Sequence, residues 1–214
     1  MYVTPNNNFE IVRLNHSMKR RIYTLLYHSY MDEPSFQYLL DSNKFGYEQR
    51  VRATIRELVN IHFKKEGVVL GVLDKVNDVI CGVALLIDNK VDLDISSNLI
   101  WRLKMYLTTG FKATHNFIDF QNRIRRVIPN EHYKVITLLS IDNHYRYQGL
   151  GSKLIQSIHD YCESDTDCMG IYLDSSNPKY EHFYQNMGYK LFKKNRFLSL
   201  DESVYLRLNQ ADLS

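Results

Sequence analysis

The stretch from residue 138 to residue 162, LLSIDNHYRYQGLGSKLIQSIHDYC, constrains the fold of this chain more than any other. An apolar run ends at Asp142, a polar loop follows, and Gly149 and Gly151 then open a segment whose apolar residues recur at helical spacing. This order predicts a β-strand, a short loop and an amphipathic helix, and residues 170–176, GIYLDSS, predict the next strand. Two strands joined through a helix are expected to pair side by side and parallel.

The remaining periodicity predicts a mixed α and β chain that forms one domain, residues 1–214. Alternating or apolar runs predict strands at residues 9–14, 68–74, 79–88, 189–194 and 203–208, of which the second and third form an antiparallel pair. One predicted helix ends near residue 30 and another near residue 67, and a short helix is predicted at residues 178–187. The insert at residues 97–130 is predicted to be helical, with a break at residues 108–110. Two apolar stripes, which typically face a core, mark this insert: Leu99, Ile100, Leu103 and Leu107, then Phe117, Phe120, Ile124 and Val127.

Composition excludes several classes of protein. With 27 basic and 24 acidic residues the net charge is +3, too balanced for the basic face that nucleic-acid binding needs. The 3 cysteines form no CxxC pair and the 8 histidines no ligand spacing, so neither a disulfide framework nor a metal site is predicted. No secretory signal opens the chain, and the apolar run at residues 79–87 is too short to cross a bilayer. We therefore expect a cytoplasmic protein without a membrane or nucleic-acid partner.

The glycine-containing loop, RYQGLG at residues 146–151, suits an anion. It lacks the GxxxxGK[ST] spacing of a P-loop, and Leu154 stands where a dinucleotide fingerprint needs its third glycine. Backbone N–H groups at the first turn of a helix, together with its dipole, favour a bound phosphate, and glycine lets the phosphate approach the backbone. Spacing alone leaves open the alternative of a plain turn.

Two sequence blocks, in the expected order, resemble the GNAT superfamily of acetyl-CoA-dependent N-acetyltransferases. Arg146, Gly149 and Gly151 match its R/Q-x-x-G-x-G/A signature after an apolar strand, and residues 171–192, IYLDSSNPKYEHFYQNMGYKLF, resemble its later strand, asparagine, helix and GY ending. The resemblance covers roughly residues 133–192. It implies a twisted mixed sheet flanked by helices, which splays between the strands at residues 135–141 and 171–175, with acetyl-CoA in the gap.

The same resemblance implies roles for individual residues. Main-chain groups of Leu139 and Ile141 would contact the pantetheine arm, and Asn177 would donate a hydrogen bond to the cofactor. The loop that would hold the pyrophosphate comprises Arg146, Gln148, Gly149, Leu150, Gly151 and Ser152.

Tyr184 matches the tyrosine that the family places near the thioester sulfur, and we predict that it is the general acid. A phenol of pKa about 10 can protonate a leaving thiolate of pKa about 8.5. The glutamate that some members carry on the central strand is replaced by Val135, so the general base is open among Asp174, Glu131, His132 and a water chain. Asp174 is our first choice because it ends its strand beside the cleft, although it could instead cap a turn.

The predicted function is transfer of an acetyl group from acetyl-CoA to a small-molecule or peptide amine by direct attack in a ternary complex. The alternative is a non-catalytic domain that binds or senses acyl-CoA. Aromatic residues at 30–45 and in the insert predict a lined pocket for a small amine, although the insert could also be a lid or an interface. The segment SVYLRLNQ, residues 203–210, could add a strand across a homodimer.

Overall fold

The computed structural model describes residues 8–91 and 99–209. Within them the strands are β1 Phe9–Arg13, β2 Val68–Asp74, β3 Val79–Asp88, β4 Tyr133–Ile141, β5 Gly170–Ser175, β6 Lys190–Phe197 and β7 Leu200–Leu208. The helices are α1 Lys19–Tyr30, α2 Pro34–Leu39, α3 Tyr47–Lys64, α4 Leu99–Thr109, α5 Phe111–Arg125, α6 Leu150–Glu163 and α7 Glu181–Asn186. None of the helices within these residues combines the length and apolar character needed to span a membrane.

The strands form one mixed sheet in the order β1-β2-β3-β4-β5-β7-β6. Only β4 and β5 pair in parallel among these neighbours, and α6 connects them, as the strand–helix–strand pattern predicted. The predicted α/β class, a twisted mixed sheet flanked by helices, is confirmed. β7 lies between β5 and β6 and pairs with both, so the prediction that this segment could add a strand across a dimer was wrong.

Helices cover both faces of the sheet because adjacent strand residues point to opposite sides. On one face, the apolar side of α6 packs on alternate residues of β2, β3, β4 and β5, and its buried residues include Leu154, Ile155 and Ile158. On the other face, α1 and α3 bury a second cluster against Val69, Val83 and Leu85. A third cluster joins α4 and α5 to β7 and includes Tyr172 of β5. The helical insert therefore packs beside β5, the strand that follows the glycine loop and α6.

The insert differs from its predicted packing. The break lies at Gly110, whose φ of +84° suits glycine, and Phe117, Phe120 and Ile124 of α5 are buried as predicted. The α4 stripe is exposed instead: the most exposed of its members are Leu99 at 76% and Leu107 at 78%, and Ile100 and Leu103 are exposed as well. The buried face of α4 consists of Trp101, Met105 and Thr109, which recur at the same four-residue spacing. Because α4 has apolar residues on both sides, tertiary packing decides which side is buried.

Candidate active site

The two parallel strands separate half-way along their length. β4 and β5 pair only from Tyr133 with Gly170 to Ile136 with Leu173, whereas β4 continues to Ile141 and β5 to Ser175. Just past the last pair the register with β3 skips Thr137, and such a bulge bends a strand locally. The predicted splay is therefore present, and a cleft of about 650 Å³ opens at it.

This cleft gathers most of the predicted site residues. Its volume falls in the range typical of small-molecule sites, about 300–1,000 Å³. Nine predicted residues line it: Leu139, Ile141, Arg146, Gly149, Leu150, Gly151, Ser152, Asp174 and Tyr184. Gln148 and Asn177 do not line it. The Asn177 side chain accepts a hydrogen bond from the Lys179 N–H (3.4 Å) and donates one to Glu33 (3.4 Å), so it organises the turn after β5.

The glycine loop leads directly into α6. Gly149 precedes the helix with a φ of +76°, and nothing lies within 4 Å of the position that a Cβ would occupy there. The first turn contains no acidic residue, and its N–H groups have no acceptor within the helix. Together with the helix dipole, these N–H groups can bind an anion at the open end of the cleft.

Main-chain groups on the free part of β4 already have side-chain partners. The Leu139 N–H donates to the Tyr30 hydroxyl (3.1 Å), and that hydroxyl contacts the Leu139 carbonyl at 3.5 Å. Arg146 Nε donates to the Ile141 carbonyl (3.2 Å). The sequence placed Tyr30 in the aromatic segment at residues 30–45 but did not predict its contact with Leu139, because that contact joins residues 109 positions apart.

Tyr184 lies on α7 in a cluster of aromatic rings. The residue is 8% exposed, and its ring centroid lies 5.4 Å from that of Phe183, 6.1 Å from that of Tyr189 and 5.6 Å from that of Tyr205. Burial raises the pKa of Tyr184 above its ordinary value, and the nearby Glu33 carboxylate raises it further. A phenol of ordinary pKa about 10 is already protonated at neutral pH, and the raised pKa keeps Tyr184 in this proton-bearing state while making it a weaker acid.

Three carboxyl groups meet near Tyr184. Asp174, at the end of β5, has its pKa raised by burial, and its side chain is hydrogen-bonded with Glu202 of β7. Burial also raises the pKa of Glu33, which precedes α2 and lines the cleft. Sequence reasoning missed Glu33 and Glu202, because a glutamate in an alternating strand or in a loop is ordinarily expected to be exposed to solvent.

The other candidate bases lie elsewhere. His132 is at the start of β4, the end opposite to the glycine loop, as its position in the sequence predicted. Its Nε2 contacts the Asp88 carboxylate, and Lys134 Nζ forms an ion pair with Asp165 at 2.8 Å in the same cluster. Glu131, the adjacent residue, likewise does not line the cleft. This end of the strand is held by ion pairs away from the splay.

Comparison with known families bears on this geometry. Residues 119–191 match the family model of the acetyltransferase (GNAT) domain, a segment that contains the glycine loop, Asp174 and Tyr184. The chain has the GNAT fold. The resemblance that the two sequence blocks indicated is thereby confirmed, and the match begins upstream of them, within α5.

Solved structures agree on the fold across nearly the whole chain. Histone acetyltransferase HPA2 and related acetyltransferase from Corynebacterium glutamicum is 14% identical, with 94% of this chain and 96% of that chain covered and a TM-score of 0.68. Arylalkylamine N-acetyltransferase 2 from Aedes aegypti is 12% identical (95% and 100% covered, TM-score 0.63). NAA60 from Arabidopsis thaliana in complex with acetyl-CoA is 13% identical (94% and 98% covered, TM-score 0.55). A comparison with curated protein sequences gave no match.

Proposed function

We propose that this protein is an N-acetyltransferase that transfers an acetyl group from acetyl-CoA to a primary amine by direct attack in a ternary complex. The observation that carries the proposal is the combination of three kinds of group in one cleft at the β4–β5 splay. The cleft joins an anion-binding helix start, at Gly149–Ser152, to a protonated phenol at Tyr184 and a carboxyl group at Asp174. An anionic cofactor, a leaving thiolate and an attacking amine need these three kinds of group.

The cofactor fits the residues that are present. The N–H groups of the first turn of α6 would hold the pyrophosphate, because that turn carries no acidic side chain and the space around Gly149 is open. The pantetheine arm would follow the free part of β4, much as an added strand does. For this we expect the Tyr30 hydroxyl to release Leu139 when the cofactor binds. Bound acetyl-CoA supplies the activated acetyl group.

The proposed chemistry assigns one proton transfer to each of two residues. Asp174 accepts a proton from the amine nitrogen as the nitrogen–carbon bond to the acetyl group forms. Tyr184 donates its phenolic proton to the sulfur as the carbon–sulfur bond breaks. The proton that the amine gave to Asp174 then reprotonates the Tyr184 phenolate. The amide and the free thiol therefore leave with all protons accounted for. General acid–base steps of this kind typically contribute about 10²–10⁴-fold in rate.

The acceptor is proposed to be a small amine with an apolar portion. Aromatic side chains from α2 and from the helical insert, Phe36, Phe117 and Phe120, line the same cleft as Asp174. They support the aromatic-lined pocket that the composition of these segments predicted. The arylalkylamine enzyme from Aedes aegypti shares this fold and is consistent with such an acceptor, as is Glu33, whose carboxylate faces the same space.

Cofactor placement predicts a specific binding defect. Replacing Gly149 and Gly151 together by alanine should weaken acetyl-CoA binding at least about tenfold, or about 1.4 kcal/mol, in isothermal titration. A Cβ at residue 149 is strained by the positive φ and protrudes into the space proposed for the pyrophosphate. Gly110→Ala is the matched control, since Gly110 also has a positive φ at a helix start and lies outside this cleft. Equal acetyl-CoA affinity in wild type, the double alanine variant and Gly110→Ala would mean that the cofactor does not bind at this loop.

Turnover separates the enzyme from the non-catalytic alternative. Purified protein with acetyl-CoA and a panel of primary amines, from arylalkylamines to short peptides, should release free thiol with at least one acceptor. The amide product should form in equal amount. Tight acetyl-CoA binding without thiol release across the panel would instead favour a domain that binds acyl-CoA without turnover.

A further inference from the structure

Glu202 is a buried carboxyl group that the proposed reaction has not used. On β7, Val204 pairs with Asp174 of β5 and Ser203 pairs with Ser175. Directly paired residues share a face and every second residue returns to it, so Glu202 lies on the face of Asp174. Glu202 is 2% exposed, whereas Asp174 is half-buried and lines the cleft. Asp174 therefore borders the cleft, whereas Glu202 does not line it.

The two carboxyl oxygens of Glu202 differ in their hydrogen bonds. The Ser176 hydroxyl donates to Glu202 Oε2, and the Glu202 carboxyl is hydrogen-bonded with that of Asp174. Among residues 8–91 and 99–209, no N–H or O–H group donates to Glu202 Oε1, although that atom is buried. No lysine, arginine or histidine of those residues lies within ion-pair distance of Glu202 either. Two ionised carboxylates in contact repel, whereas a carboxylic acid donates a hydrogen bond to a carboxylate.

We propose that Asp174 and Glu202 share one proton at neutral pH, with the proton on Glu202 and the negative charge on Asp174. Glu202 is then a positioning residue that donates a hydrogen bond to Asp174 and keeps it ionised and oriented. The charge resides on Asp174 because this residue lines the cleft, while Glu202 is enclosed. The role of the pair in catalysis rests on the proposed acetyl transfer; the shared proton itself does not.

The electrostatic surroundings support this assignment. Burial raises the pKa of Glu202 to about 10, with the Asp174 charge as the next contribution and Glu33 as a smaller one. Burial raises the pKa of Asp174 as well, but its hydrogen bond with Glu202 lowers it. The groups that face the pair from neighbouring elements are Glu33 before α2, Tyr30 of α1 and Tyr184 of α7. Both tyrosines are neutral at pH 7, so neither offsets the negative charge of Asp174.

The shared proton is tested directly by ¹³C NMR of protein labelled at the glutamate carboxyl carbons. Between about pH 5 and about pH 9, one glutamate resonance should keep the chemical shift of a protonated carboxyl, and Glu202→Gln should remove that resonance alone. Asp201→Asn is the control, because its side chain is exposed, lies next in sequence and pairs only with exposed Arg196 among the described residues. Ionisation of every glutamate carboxyl below about pH 6 would overturn the proposal.

The positioning role is tested in the pH dependence of kcat/KM. Glutamine can still donate a hydrogen bond to Asp174, so Glu202→Gln should keep the acidic limb of wild type within about half a pH unit. Leucine cannot, so Glu202→Leu should move that limb about one unit or more toward higher pH, which a merely structural role does not predict. An unmoved limb in a folded leucine variant would overturn the role. If wild type shows no turnover, the proposed function fails while the NMR titration still decides the shared proton.

Discussion

Replacing Tyr184 by phenylalanine is expected to lower kcat by about 10²–10⁴-fold while leaving the Kd for acetyl-CoA unchanged. The variant removes one hydroxyl and keeps the ring that packs against Phe183, Tyr189 and Tyr205. Without that hydroxyl the departing thiolate must take its proton from solvent, from which the buried position of residue 184 is shielded. Steady-state thiol release and isothermal titration, run on the same preparation, measure the two quantities.

Tyr189→Phe is the matched control for this loss. Tyr189 is also buried, its hydroxyl contacts His159 at 3.3 Å, and its ring centroid is 6.1 Å from that of Tyr184, but it does not line the cleft. We expect its kcat to stay within about threefold of wild type, since a substitution away from the reacting atoms removes no interaction made only in the transition state. If Tyr184→Phe is as active as Tyr189→Phe, the phenol is not the proton donor.

Asp174→Asn is expected to lower kcat by about 10²-fold or more, because an amide cannot accept the proton of the attacking amine. The variant is close in shape and can still form a hydrogen bond with Glu202, so the fold and acetyl-CoA affinity should persist. The pH profile adds a second test. Burial raises the pKa of Asp174 above its ordinary value of 3.8, and a base is inactive once protonated. Wild-type activity should therefore fall as pH decreases through a point above that ordinary value.

The profile of the asparagine variant should lack that acidic limb, since the group that titrates is gone. Asp165→Asn is the control, because Asp165 forms an ion pair with Lys134 (2.8 Å) at the opposite end of β4. Its rate and its acidic limb should both match those of wild type. An Asp174→Asn variant with the wild-type rate and limb would assign the base to another group, and Glu33, which lines the same cleft, would be the next candidate.

Local patterns predicted the elements well where one periodicity dominated. The unit from β4 through α6 to β5 was predicted correctly because an apolar run, a glycine-containing loop and a single helical stripe follow one another along the chain. The same reasoning chose the wrong face of α4, where Leu99, Ile100, Leu103 and Leu107 compete with Trp101 and Met105. Local spacing cannot rank two apolar faces of one helix, because the choice depends on what packs against it, here Phe117 of α5.

The sequence by itself determined the glycine loop, the order of strand and helix around it, and the positions of Asp174 and Tyr184. These features are local, since backbone geometry and helix dipole act over a few residues. Only the tertiary structure brought Tyr30 to Leu139 and Glu202 to Asp174. Such contacts depend on strand register and helix docking, which are set by burial of the whole core. The ionisation of the carboxyl groups is likewise decided by that burial, because desolvation arises only when the chain surrounds them.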